Sequence, residues 1–270
     1  MGFEINHDFH IHTERSLCAQ RDAFAKDYIR EAKALGLKKL GFADHFWDDA
    51  YKPLDIEFYG PQNYDHVASI RDEIKSVDTE GIKIYVGCEA EYSHEHGVGI
   101  TEACAERFDF IIVPNSHTHK TMPAGFIKPN KMQKHVDFMI RAYYDILNSS
   151  VSKYILSMAH PFEAVSCPYD NNLLKQMISD DTYRRMFDAT AEKGIAIEIN
   201  TAGFLNESLA TVRETENFRI LRLAKECGCK FTFGSDAHSI EMLKELFVPT
   251  ANMVAEALGL TENDLHEFVK

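Results

Sequence analysis

At 270 residues with 45% hydrophobic content, the chain is long enough for two small domains or one α/β barrel with a sizeable core. Its net charge of −13 argues against nucleic-acid binding, which draws on Lys and Arg at phosphates, yet attracts divalent cations. None of the six cysteines forms a CxxC pair, so zinc ribbons and thioredoxin-type sites are not expected.

The first strand candidate, FEINHDFHIH (3–12), ends on His10 and His12. Its flank lacks the basic and apolar regions of a signal peptide, and no run of about 18 apolar residues follows anywhere; a cytoplasmic location without membrane insertion is expected. AFAKDYIREAKALGL (23–37) has helical periodicity and closes at Gly36. KKLGFAD (38–44) leads into His45, and a long aromatic stretch (46–63) with Trp47, Tyr51 and Tyr59 follows. Helical NYDHVASIRDEIKS (63–76) precedes KIYVGCEAEY (83–92), which carries Cys88, Glu89 and Glu91. FDFIIVPNS (108–116) runs into His117 and His119, and Pro114 suggests a bulge there. KHVDFMIRAYYDILNS (134–149) reads as a helix and KYILSMA (153–159) ends at His160. IAIEINT (195–201), helical TENFRILRLAKECG (215–228) and KFTFGSD (230–236) complete the set, with His238 just beyond Asp236. The rest reads as helical, Thr261 capping a last helix with Asp264 in the capping-box position.

Strands alternating with helices imply βαβ units, a parallel sheet and one domain over 1–270. Period-two alternation favours a closed barrel. It sets Asp8, His10 and His12 on one face, and likewise pairs Glu89 with Glu91, Glu198 with Asn200, and Asp236 with His238. Carboxylates repeated on one strand face are costly in a core unless paired or metal-bound. Strand ends of a parallel barrel converge on one mouth, so His10, His12, His45, Glu89, His117, His160, Asp236 and His238 form a candidate polynuclear metal site. His94 and His96 repeat the HxH pattern but follow their strand, where a loop is expected.

The motifs DFHIHT, ADH, GCEAEY, NSH, AHP, EINTAG and GSDAH, in this order, resemble the polymerase and histidinol phosphatase (PHP) superfamily from about residue 8 to 238. EINTAGF followed by GSDAH resembles its histidinol-phosphatase branch. The resemblance implies a distorted (β/α)7 TIM-like barrel whose two to three divalent ions (Zn, Mn or Fe) hydrolyse phosphate esters. It implies that His10, His12, Glu89 and Asp236 hold a first ion, that Glu89 bridges to a second with His117 and His160, and that His45 and His238 hold a third. Asp236, Glu89 and His238 would then be the catalytic residues. Where many relatives add a ligand after the HxH, this chain has Leu17 and Cys18; a Cys18 thiolate would bias that site toward zinc. The basic residue common after the NTxG turn is replaced by Phe204-Leu205-Asn206.

Around these, Asp44 reads as a carboxylate that supports the ligands or sits in a loop, not as a ligand itself, while Asp8, Glu198 and Asn200 are expected to orient ligand imidazoles. Glu91, about 7 Å beyond Glu89 along an extended strand, is expected to reach solvent or substrate. His117 is preferred to His119, and His7, His66, His135 and His266 read as structural. Arg15, Trp47, Lys120, Lys128 and Lys131 are candidate substrate contacts, a guanidinium being suited to phosphate. The functional expectation is a phosphomonoesterase for a small phosphorylated alcohol, histidinol phosphate leading. An amidohydrolase or TatD-type hydrolase and a non-catalytic metal-stabilised module are the alternatives.

Overall fold

The computed structural model describes residues 4–122 and 132–270. Seven parallel strand paths alternate with helices. They are β1 (His7–Ile11), β2 (Lys39–Phe42, resuming as His45–Phe46), β3 (Lys83–Val86, resuming as Cys88–Ala90), β4 (Ile111–Pro114), β5 (Ile155–Ala159), β6 (Ala196–Asn200) and β7 (Phe231–Gly234). Each pairs in parallel with the next: His7 opposite Lys39, Leu40 opposite Ile84, Glu89 opposite Ile112, Val113 opposite Met158, Ile197 opposite Met158, and Ile199 opposite Phe233. The ring closes between the end of β7 and β1, where Asp236 N–H donates to the His10 carbonyl at 2.8 Å and His12 N–H to the Ala237 carbonyl at 2.9 Å. Main-chain bonds thus run round all seven strand paths, as in a barrel.

The helices form where apolar spacing and caps predict. In α1 (Ala25–Ala34) the buried Ala25, Tyr28, Ile29 and Ala32 repeat at helical spacing, and Gly36 ends the helix at a φ of +80°. α2 (Met132–Leu147) buries Val136, Met139, Tyr143 and Ile146. α3 (Asp180–Lys193) starts at Ser179, whose side chain accepts from Thr182 N–H, and stops at left-handed Gly194. α4 (Glu216–Glu226) and α5 (Val248–Leu258) complete the set of longer helices among the described residues. None of the described helices is long and apolar enough to cross a membrane.

Three expectations change. The helix over 63–76 is two short ones, Tyr64–Ala68 and Ile70–Ile74, meeting at Ser69. The Thr261–Asp264 capping box forms but starts only a 3-10 turn. Its continuation is drawn off to the barrel instead, Leu265 bridging Phe231 and His266 N–H donating to the Phe231 carbonyl at 3.0 Å. In β1 the register with β2 shifts between Asp8 and Ile11, and the role of Asp8 differs from the one expected. Asp8 holds backbone and not an imidazole, its Oδ1 accepting from His10 and Ser235 N–H at 3.0 Å each. In β4 the irregularity falls between Ile111 and Ile112, ahead of Pro114.

Candidate metal centre

The strand ends bring the expected donors onto one carboxylate. Glu89 Oε1 lies 3.0 Å from His160 Nε2, 3.6 Å from His10 Nε2 and 4.0 Å from His117 Nε2. Its Oε2 lies 2.8 Å from His45 Nδ1 and 3.6 Å from His12 Nε2. Asp236 Oδ1 completes the first group at 3.2 Å from His12 Nε2 and 3.5 Å from His10 Nε2. Glu89 is wholly buried. His160 and Asp236 occupy left-handed backbone, φ 24° and 55°, which non-glycine residues seldom adopt and which recurs at functional sites.

Outer contacts fix the imidazoles. His10 Nδ1–H donates to Glu198 Oε1 at 2.7 Å, a contact for which Gly234 makes room: a Cβ there would meet Glu198 Oε1 and come within 2.6 Å of His10 Cβ. His160 Nδ1 pairs with Ser116 Oγ at 3.2 Å, and His12 Nδ1 with Ser16 Oγ at 3.0 Å. Ser16 in turn donates to Asp44 Oδ1 at 2.7 Å, which also takes Thr13 N–H. His238 Nδ1–H donates to the Asp236 carbonyl at 2.8 Å, and Asn200 Nδ2 donates to Asp236 Oδ2 at 3.3 Å. Glu198 thus holds an imidazole as expected and Asp44 supports one through Ser16, whereas Asn200 contacts the carboxylates of Glu198 and Asp236 instead of an imidazole. The contributions of Ser16 and Ser116 carried no sequence signal beyond their neighbours.

Burial opposes charge here, yet mutual attraction wins. Burial pushes the Glu89 and Asp236 carboxyls up, but His45, His10 and His117 around Glu89, and His10 and His12 around Asp236, hold both well below the usual carboxylate range. Burial lowers His10 and His45, but Glu198, Asp236 and Glu89 raise His10, and Glu89 raises His45, well above the ordinary histidine value. His12, desolvated and beside His238 and His45, is held well below it. The donor set fits a metal. His10 and His12 aim Nε2 atoms at each other 3.0 Å apart, an arrangement of two nitrogens that calls for a shared proton or cation, and Glu89 Oε2 is buried without a hydrogen-bond partner. Four groups have ligand atoms mutually within 4.8 Å: His10/His12/Glu89, His10/His160/Asp236, His12/His45/His238 and His45/Glu89/Glu91/His117. Atoms each about 2.0–2.2 Å from one ion can be no more than about 4.4 Å apart, so small adjustments suffice.

Several expected contacts move. Glu91 does not reach solvent: the strand stops at Ala90 and turns into a hairpin, Tyr92–Ser93 with Gly97–Val98, so Glu91 is wholly buried and accepts from His45 Nδ1 at 3.1 Å and His117 Nδ1 at 3.0 Å. Arg15 turns away from the mouth because Glu14, Glu73 and Ser69 satisfy its guanidinium at 2.7, 3.2 and 2.9 Å. Trp47 packs on Gly99 and Tyr59, donates from Nε1 to the Tyr51 carbonyl, and walls a neighbouring cavity instead. The cavity over the cluster, about 260 Å³, is bordered by Cys18, Phe58, Tyr59, His119, Lys120 and Val165. Lys120 Nζ sits 2.6 Å from Asp55 and 4.2 Å from the Phe58 ring centre. Lys128 and Lys131 lie outside the described residues. Burial pushes the Cys18 thiol up, but contacts with His238 and His45 outweigh it and bring it down to about 6.

His94 and His96 occupy the hairpin loop, His96 stacked on Tyr51 at 3.8 Å between ring centres. His94→Ala and His96→Ala are expected to keep turnover within about twofold, as surface changes of under about 0.5 kcal/mol do. Steady-state kinetics beside His10→Ala, for which no turnover is expected, checks the contrast.

The PHP domain family model matches residues 8–202 and the PHP-associated model residues 214–245. No curated protein matches the sequence. A histidinol phosphate phosphatase from Lactococcus lactis, complexed with zinc, L-histidinol and phosphate, superposes with a TM-score of 0.61 at 18% identity, covering 96% of this chain and 95% of its own. A structure assigned as a histidinol phosphatase from Listeria monocytogenes gives 0.59 at 13%, covering 89% and 98%. At these identities the likeness is one of fold. With the family model spanning well over half its length, the chain belongs to the PHP domain family.

Proposed function

We propose that this protein is a metal-dependent phosphomonoesterase acting on a small phosphorylated alcohol, with histidinol phosphate the leading candidate. The observation that carries the reading is Glu89, a buried carboxylate with imidazoles gathered on both oxygens. His10, His12 and Asp236 would share one ion with it, and His117 and His160 a second. Divalent ions there, zinc, manganese or iron, would supply Lewis acidity toward phosphate and acidify water.

The chain's own residues do the rest. Glu198, Ser16 and Ser116 hold the imidazoles in orientation. Asp236, steadied by Asn200, takes the proton of the attacking water and returns it to the leaving alkoxide. Lys120 exchanges Asp55 for a phosphate oxygen, since it is the ammonium on the cavity wall among the described residues. The cavity suits a small ester, and a net charge of −13 disfavours a polyanion. The Lactococcus enzyme's complex with L-histidinol and phosphate supports histidinol phosphate. The apolar Phe204-Leu205 after the NTxG turn argues for modest activity on it.

Phosphate release by metal-replete protein from small monoesters, histidinol phosphate included, tests the reading beside amides and DNA ends. Release confined to small monoesters is expected. Efficient amide or DNA hydrolysis with no monoester turnover would overturn it. Lys120→Ala is expected to raise KM about tenfold or more, the loss of a charged hydrogen bond worth about 1.5–3 kcal/mol. Arg15→Ala, already spent on Glu73, should leave KM within about twofold.

A further inference from the structure

We propose that Lys175, buried away from the cavity over the cluster, is a positioning residue that sets the loop carrying His160 and ties it to the turn that follows Asn200. The proposal rests on the metal-site reading above and adds the device that holds two of its loops together.

The loop after β5 is strained. His160, Phe162 and Ser166 all take left-handed backbone, φ 24°, 66° and 54°, and none is glycine. Residues so placed cost free energy and persist only where their surroundings over-determine them. The same loop reaches the substrate cavity, whose wall includes Val165 and Ser166. Side-chain acceptors hold its start: His160 N–H donates to Glu198 Oε2 at 2.6 Å and Phe162 N–H to Asn115 Oδ1 at 3.0 Å. Its middle is held by a network centred on Lys175.

Lys175 lies on the short helix Asn171–Gln176, its side chain 1% exposed. Its ammonium donates to Glu163 Oε2 and to Asn217 Oδ1. Glu163 Oε1 accepts from Asn171 Nδ2 at 2.6 Å, and Asn171 Oδ1 accepts from Ala164 N–H at 2.9 Å, so two successive loop residues are fixed. On the other side Asn217, in α4, donates from Nδ2 to the Gly203 carbonyl at 3.0 Å. A Cβ on Gly203 would come within 2.7 Å of that nitrogen. Gly203 belongs to the turn Thr201–Phe204, directly after Asn200, whose Nδ2 donates to Asp236 Oδ2. Glu163 and Asn217 border one small pocket with His160, Glu198 and Asn200. One buried ammonium thus joins the loop of His160 to the turn beside Asp236. Stability alone does not account for it, because an apolar pair of similar volume in place of a buried ion pair is often neutral or stabilising. What the pair supplies is one fixed geometry.

The test compares the wild-type chain with one carrying Lys175→Met and Glu163→Leu together, a change that leaves no charge unpaired. Zinc is titrated against a competing chelator, and monoester turnover and thermal unfolding are followed on the same preparations. The double variant should melt close to wild type. The ion held by His160 should nevertheless bind about tenfold or more weakly, with kcat down by a similar factor, as loss of a ligand-supporting partner does. Lys175→Met alone should also melt below wild type, because it leaves Glu163 uncompensated. If the double variant fails to fold, Asn217→Ala carries the test. It cuts the link to Gly203 and should lower kcat about threefold or more with bound zinc unchanged, since small misplacements near reacting groups are felt in rate. A folded double variant with wild-type zinc affinity and kcat overturns the proposal, as does wild-type kcat in Asn217→Ala. The zinc titration needs no turnover, so a wild type that binds zinc but hydrolyses no monoester overturns the phosphatase reading and leaves the titration to decide this one. A wild type that binds no zinc would overturn both.

Discussion

Glu89→Ala is expected to cut turnover at least about a thousandfold and to release bound metal. In the folded protein this carboxylate lies within 4.0 Å of five imidazoles, those of His10, His12, His45, His117 and His160. Removing it strips the shared anion from a buried cluster and leaves the ring nitrogens facing one another. If metal supplies several kcal/mol of transition-state stabilisation, losing about 4 kcal/mol alone gives roughly three decades in rate. Elemental analysis and steady-state kinetics on the same preparation check both halves. Full activity with unchanged metal content would remove Glu89 from the bridging role and pass it to Glu91, which contacts His45 and His117.

Chelation is expected to lower thermal stability by a wide margin. Each ion bound by the folded chain alone adds about 2.7 kcal/mol when free metal is a hundredfold above Kd. At about 2–4 °C per kcal/mol for a chain near this size, each site contributes on the order of 5–10 °C. Without ions the cluster must rely on protons: His10 and His45 are drawn well above the ordinary histidine value by the carboxylates around them, against the burial that opposes it. A scanning calorimetry trace that does not move between chelated and metal-replete protein would contradict this. Recovery of the transition on returning zinc or manganese would separate metal loss from damage.

The barrel was legible because its strands are short apolar runs that each end in a histidine or carboxylate, and parallel strands must deliver those ends to one mouth. What the sequence hid is local backbone behaviour. Alternation placed Asp8 beside His10 and His12, but its Oδ1 is taken by the backbone N–H groups of His10 and Ser235 and not by an imidazole. Extended spacing carried Glu91 outward, but the strand stopped at Ala90 and returned it to the cluster. Arg15, near the HxH in sequence, is claimed by Glu73, 58 positions away, a pairing that no local pattern reveals. The left-handed turns at His160 and Asp236 likewise have no sequence signal, since neither is glycine. Residue types and strand ends set which side chains meet; bulges and strand breaks set how each one points.

The account turns on metal-dependent phosphate-ester hydrolysis at Glu89. Titrating metal-free protein with zinc or manganese while following phosphate release from a small monoester tests it most directly. The predicted result is no release without metal and activity that rises to a plateau at two to three ions per chain, absent throughout in Glu89→Ala. Release that is undiminished in the metal-free protein, or stoichiometric metal binding with no release from any monoester, would contradict it.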